Sequence, residues 1–88
     1  METDIMIEIL KKYFDVHYID YLSPYLRISL SKNGRNTRRF LFYITDDIMK
    51  FANISSNSMR QEKIADPKFI DNIVAYCNAA INNPESRD

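Results

Sequence analysis

Three sets of residues in this sequence carry side chains able to do chemistry. The first is the lone thiol and the lone imidazole, Cys77 and His17. A nucleophilic dyad needs the two within hydrogen-bond reach and a cation beside the sulfur. Cys77 instead falls inside an apolar helical stripe and His17 in a segment of strand character, so a small buried hydrophobe and a structural or exposed imidazole are expected. The second set is Asp46 and Asp47, which follow Thr45 and read as acids at the positive end of a helix dipole rather than as an acid–base pair. The third is an array of Tyr, Arg and Leu at Tyr25, Arg27, Arg39, Leu41 and Tyr43, with Lys32, Arg35 and Arg38 around the Asn33-Gly34 turn. Tyr and Arg join a large apolar contact area to polar groups that a partner can satisfy. These eight residues are the candidate partner-binding surface.

Other chemistries lack their residues. With a single glycine the chain has neither a P-loop nor a dinucleotide fingerprint, each of which needs several. It has no Gly-x-Ser-x-Gly elbow, no zinc spacing and no calcium loop. No catalytic residue, cofactor, metal or small-molecule substrate is expected, and the reading is non-enzymatic.

The elements that position the Tyr/Arg set follow from periodicity. Between Tyr25 and Thr45 residue type alternates with period two, placing Leu26, Ile28 and Leu30 on one face of a strand and Phe40, Phe42 and Ile44 on one face of the next. A two-residue type I′ loop at Asn33-Gly34 would set Lys32 opposite Arg35 and therefore Ile28 opposite Arg39, turning each apolar row to the wrong side. A loop with an odd residue count restores parity. Of two such registers, one pairs Arg27 with Arg39, a like-charge contact. The preferred one pairs Ile28 with Phe40 and Leu26 with Phe42, leaving Tyr25 across from Tyr43, Arg27 across from Leu41 and Ser29 across from Arg39.

Around this hairpin, Ile5, Met6, Ile9, Leu10, Tyr13 and Phe14 recur as one stripe of a helix over 4–14, capped by Thr3 or Asp4, with a Glu8–Lys12 pair. Val16 to Leu22 is β-branched and aromatic up to Ser23-Pro24 and reads as a first strand pairing with Tyr25 to Ser31. Thr45-Asp46-Asp47 reads as the start of a short helix that buries Ile48, Phe51 and Ala52. Residues 53–58 read as a loop, and Ser58-Met59-Arg60-Gln61 has the form of a capping box for another short helix to Ala65. Asp66-Pro67 is an N-cap followed by proline, and Phe69, Ile70, Ile73, Val74, Cys77, Ala80 and Ile81 carry a last helix to Asn82-Asn83-Pro84. The result is a two-layer α+β domain over 1–84, a small three-stranded antiparallel sheet with an N-terminal helix and C-terminal helices, and a frayed tail over 85–88.

The chain has 88 residues and zero net charge, yet Arg27, Lys32, Arg35, Arg38 and Arg39 occupy residues 27–39 without one acid among them. A basic hairpin suits phosphate or an acidic protein patch, and edge-strand cations also discourage aggregation. The acidic start Met1-Glu2-Thr3-Asp4 is unlike a signal peptide, no apolar run reaches membrane-spanning length, and one cysteine suits a reducing compartment, so a cytoplasmic protein is expected.

Two functions are carried forward. One is a small interaction or regulatory module, inhibitory in some settings, that docks on a protein partner or on itself through the Tyr/Arg face, with partner strand pairing along Thr37 to Thr45. The other is nucleic-acid binding. The order helix, three strands, helix resembles that of double-stranded-RNA-binding domains, which implies recognition of duplex shape by basic loops. The chain departs from that family at the start of the last helix, where Asp66-Pro67-Lys68 and Asp71 replace a basic run. Stacking of bases on Tyr25 and Tyr43 is the single-strand version.

Overall fold

The computed structural model describes residues 2–56 and 58–83, with Arg35 described by its backbone alone. Its elements in chain order are α1 (Thr3–Tyr13), β1 (Asp15–Leu22), β2 (Tyr25–Lys32), β3 (Arg35–Ile44), β4 (Ile48–Asn53), β5 (Arg60–Lys63) and α2 (Phe69–Asn82). The strands form one antiparallel meander in the order β1-β2-β3-β4-β5. Both helices pack on the same face, where Met6, Leu10 and Phe14 from α1 and its end meet Phe69, Ile73, Cys77 and Ile81 of α2 over Leu26, Ile28, Phe40, Phe42, Met49 and Phe51. The α+β class stands, but the sheet has five strands rather than three and the described residues form two helices. The likeness to the double-stranded-RNA-binding order therefore fails, and the expected tail at 85–88 lies outside the described residues.

Two expected helices are strands. The Thr45 hydroxyl accepts the N–H of Ile48 at 3.0 Å and of Asp47 at 3.3 Å, as a helix cap would, but it also donates to the Ile48 carbonyl at 2.8 Å and closes the β3–β4 hairpin. A Ser or Thr oxygen bonding forward two or three residues serves turns as well as caps, so the motif does not distinguish them. Packing decides: Met49 and Phe51 alternate inward and pair with Ile44 and Phe42, extending the apolar face past β3. Arg60–Lys63 then pairs with Ile48–Phe51 in place of the second short helix. With β2 on one side of β3 and β4 on the other, the partner pairing expected along Thr37 to Thr45 is blocked from Phe40 to Ile44.

The β2–β3 hairpin has both features that seemed incompatible. Asn33 and Gly34 have φ of 58° and 72°, the positive values a type I′ turn requires, and Lys32 pairs with Arg35. The register is nevertheless Ile28 to Phe40, Leu26 to Phe42, Arg27 to Leu41 and Tyr25 to Tyr43. An irregularity between Leu30 and Lys32, opposite Asn36 with φ 54°, restores the parity. A bulge inserts one residue and shifts all later pairings by one, so the turn length did not have to change.

Helix ends also differ in detail. α1 is capped at Glu2 without a side-chain bond, and Lys11 rather than Lys12 reaches Glu8, at 3.5 Å. α2 starts at Phe69, because Asp66 Oδ1 and the Asp66 carbonyl accept the N–H groups of Lys68 and Phe69 at 2.8 and 3.0 Å and form a turn ahead of the helix. Its stripe of Phe69, Ile73, Cys77 and Ile81 is buried as expected.

Candidate binding face

The sheet face away from the helices is uncovered among the described residues, and cross-strand pairing orders its side chains in rows. One row runs Tyr18, Ser29, Arg39; the next Asp20, Arg27, Leu41, Ala52; the third Leu22, Tyr25, Tyr43, Lys50, Gln61. Rows lie about 7 Å apart along the strands, and neighbours within a row about 5 Å apart. Ser29 and Ala52 are small and each only 7 % exposed, so the larger residues around them wall off a hollow. That hollow is an open depression of about 650 Å³ lined by Tyr18, Arg27, Ile28, Ser29, Arg39, Leu41 and Ile54. A second, of about 290 Å³, lies across Arg27 and Leu41 and is bounded by Asp20, Leu22 and Tyr25.

Aromatic and cationic groups dominate the face. The Tyr25 and Tyr43 rings lie 5.2 Å apart at 58°, and Lys50 Nζ sits 6.0 Å from the Tyr43 centroid. Tyr18 and Tyr25 are 57 % and 46 % exposed, which leaves much of each ring open to a partner. Arg27, Arg39, Lys50 and, by register, Lys63 share the face with two acids, Asp20 and, at its turn end opposite Ser31, Asp15, whose carboxylate accepts the Gly34 N–H at 3.0 Å. A neutral chain thus presents one cationic sheet surface.

Five of the eight residues singled out from the sequence meet here: Tyr25, Arg27, Arg39, Leu41 and Tyr43. Lys32 and Arg38 do not. The bulge pairs Arg38 with Leu30, on the helix side, where its guanidinium donates to the Thr37 carbonyl at 3.1 Å and the Asn83 carbonyl at 3.3 Å. α2 has no basic residue in its last turn, and Arg38 brings a cation to that negative end from the sheet. Lys32 Nζ lies 5.8 Å from the Phe14 ring, at the end of α1. The Arg35 side chain lies outside what is described. Sequence reading missed Tyr18, Asp20 and Leu22, although the parity of β1 against β2 would have found them. It missed Lys50 because residues 48–52 read as helical, and Ile54 because residues 53–58 read as a loop.

The remaining titratable candidates lie apart from one another. His17 Nε2 is 2.6 Å from Ser31 Oγ at the β1 irregularity. Cys77 is fully buried, and burial pushes its thiol up to about 12. Asp46 and Asp47 are exposed in the β3–β4 turn. Among the described residues no group of three or more His, Cys, Asp or Glu could hold a metal, and no helix is long and apolar enough to cross a membrane. No protein-family model, curated protein or solved structure matches this chain.

Proposed function

We propose that this chain is a small non-enzymatic interaction or regulatory module that docks through its uncovered sheet face onto an acidic, partly apolar surface of a protein partner, inhibiting that partner where the surface is functional. The supporting observation is the face itself: five antiparallel strands left bare opposite the helices, with half-exposed tyrosines set among four cations and two acids. Tyr and Arg there give up little polar hydration that a partner does not replace, which is the composition of interface centres. Charge selects the partner. Face-to-face docking with a second copy would set two like-charged faces carrying Arg27, Arg39 and Lys50 against each other, whereas carboxylates on a partner complement them. The Asn33-Gly34 turn contributes less than its composition suggested, because Lys32 and Arg38 are engaged by the helix layer.

The experiment is affinity capture from the native host with the wild-type chain, an Arg27→Ala/Tyr43→Ala double variant and a Lys12→Ala control on α1. We expect one partner held by the wild type and the control and lost from the double variant, which still melts cooperatively as a folded domain. Equal retention by the double variant removes the face from the reading. Tyr18 and Tyr25, half-exposed beside Arg27 and Arg39, support a second reading as a stacking platform for single-stranded nucleic acid. Anisotropy titration of a labelled oligonucleotide that tightens steeply as salt falls would favour it.

A further inference from the structure

The two edges of the sheet are treated differently. β5 is four residues long, Arg60-Gln61-Glu62-Lys63, a short and charged edge of the kind that resists pairing with another chain. β1 is eight residues long and contains no Lys, Arg or Pro. Around the one exposed acid Asp20, its outer part carries large aromatic and aliphatic side chains open to solvent on both sides of the sheet, with Tyr18 57 %, Ile19 42 %, Tyr21 49 % and Leu22 78 % exposed. No described element lies beyond it in the strand order. One row of its N–H and C=O groups therefore has no ladder partner, and β-branched and aromatic side chains flank that row.

We infer that β1 pairs antiparallel with β1 of a second copy of this chain, joining two five-stranded sheets into one of ten strands. The sequence of β1 specifies the register. A two-fold axis through Ile19 sets Ile19 against its counterpart and Tyr18 against Asp20, with the irregularity at His17 falling opposite Tyr21 at the end of the paired stretch. The regular pairs are aliphatic and hydroxyl–carboxylate, without a like-charge contact. Moving the axis by one residue to Asp20, a two-residue change of register, would oppose two carboxylates, so Asp20 disfavours that alternative. Such an interface is isologous, as a closed dimer requires. It involves about five residues a side, fewer than the roughly 20 to 30 of a standard interface, so dissociation in the micromolar range is expected. The pairing leaves the bare sheet face uncovered and extends it across the axis, so it stands independently of the partner proposed above.

Sedimentation equilibrium across the micromolar range tests this, reading the mass against the 10.4 kDa of one chain. The wild type is expected to approach twice that mass, and Ile19→Lys, at an exposed position, to weaken association at least about tenfold, a little over 1 kcal/mol. Because residues directly opposite in an antiparallel pair have Cα atoms about 4.5 to 5.5 Å apart, within disulfide range, Ile19→Cys is expected to form a covalent dimer on mild oxidation. Wild type, whose one thiol is buried, and Lys63→Cys on β5 should not. The crosslink also decides the matter if Ile19→Lys fails to fold. A wild type that stays monomeric throughout the range overturns the inference. So does a dimer that Ile19→Lys leaves intact and Ile19→Cys does not trap, since that dimer uses another surface.

Discussion

Replacing Tyr76 with Phe should destabilise the domain through one hydrogen bond. Phe51 is the last β4 residue with a β5 partner, Arg60, so the N–H of Asn53 finds no strand on that side. Tyr76 on α2 accepts it instead, at 2.8 Å. The ring also packs at 5.1 Å from Phe51 and 6.3 Å from Phe40, with the Arg60 guanidinium 5.6 Å above it. Tyr76→Phe keeps that packing and removes only the acceptor. Asn53 is 5 % exposed, so its N–H loses the phenol acceptor in a buried place, at a cost of about 1 to 3 kcal/mol. For a domain of this size each kcal/mol moves the melting midpoint by roughly 4 to 8 °C, so a fall of roughly 4 to 24 °C is expected by far-UV circular dichroism. The urea midpoint should fall with an unchanged m-value. A midpoint within about 1 °C of wild type would refute the reasoning, because water would then be satisfying the Asn53 N–H as well as the phenol does.

Phe42→Ala, which removes a fully buried ring stacked 6.0 Å from Phe51, should cost about 3 to 5 kcal/mol and abolish or nearly abolish cooperative melting. Gly34→Ala should cost about 1 kcal/mol from backbone strain alone, since φ is +72° while an added Cβ meets nothing within 4 Å; a thermal melt reads it directly. Cys77 should ignore a thiol reagent in the native state and react on unfolding in urea. Its folded pKa of about 12 lies above the ordinary thiol value of 9.0, so the unfolded chain loses the proton first. The contribution is therefore fully present below about pH 9 and is lost as pH rises through the folded value near 12, which urea midpoints measured across that window will show. Arg27→Ala should change stability by less than about 0.5 kcal/mol, since the residue is exposed on the bare face.

Much of the candidate face was legible because parity is local. Once Leu26 and Ile28 point inward, Tyr25 and Arg27 point outward whatever the rest of the chain does, and the same holds for Leu41 and Tyr43. Arg38 shows where that logic stops. One bulge residue at Asn36 separates the parity of the turn from that of the strands, and a sequence read as two regular strands has no place for it. β4 was illegible for a different reason. Six residues, Ile48–Asn53, fit either a helical or an alternating pattern, and the Thr45 cap serves both.

By itself, the sequence determined the long amphipathic periods: α1, the strands β1 to β3, the stripe of α2, and the separation of Tyr25, Arg27, Arg39, Leu41 and Tyr43 from the core. Each depends on residues within one or two turns or pleats of one another. Only the tertiary structure decided that 48–53 is a strand, that β5 rather than β3 forms the sheet edge opposite β1, and that Arg38 serves α2. Those outcomes depend on Phe42 and Ile44 needing neighbours on their far side, a requirement that Phe51 and Met49 meet from a strand and that no local pattern records.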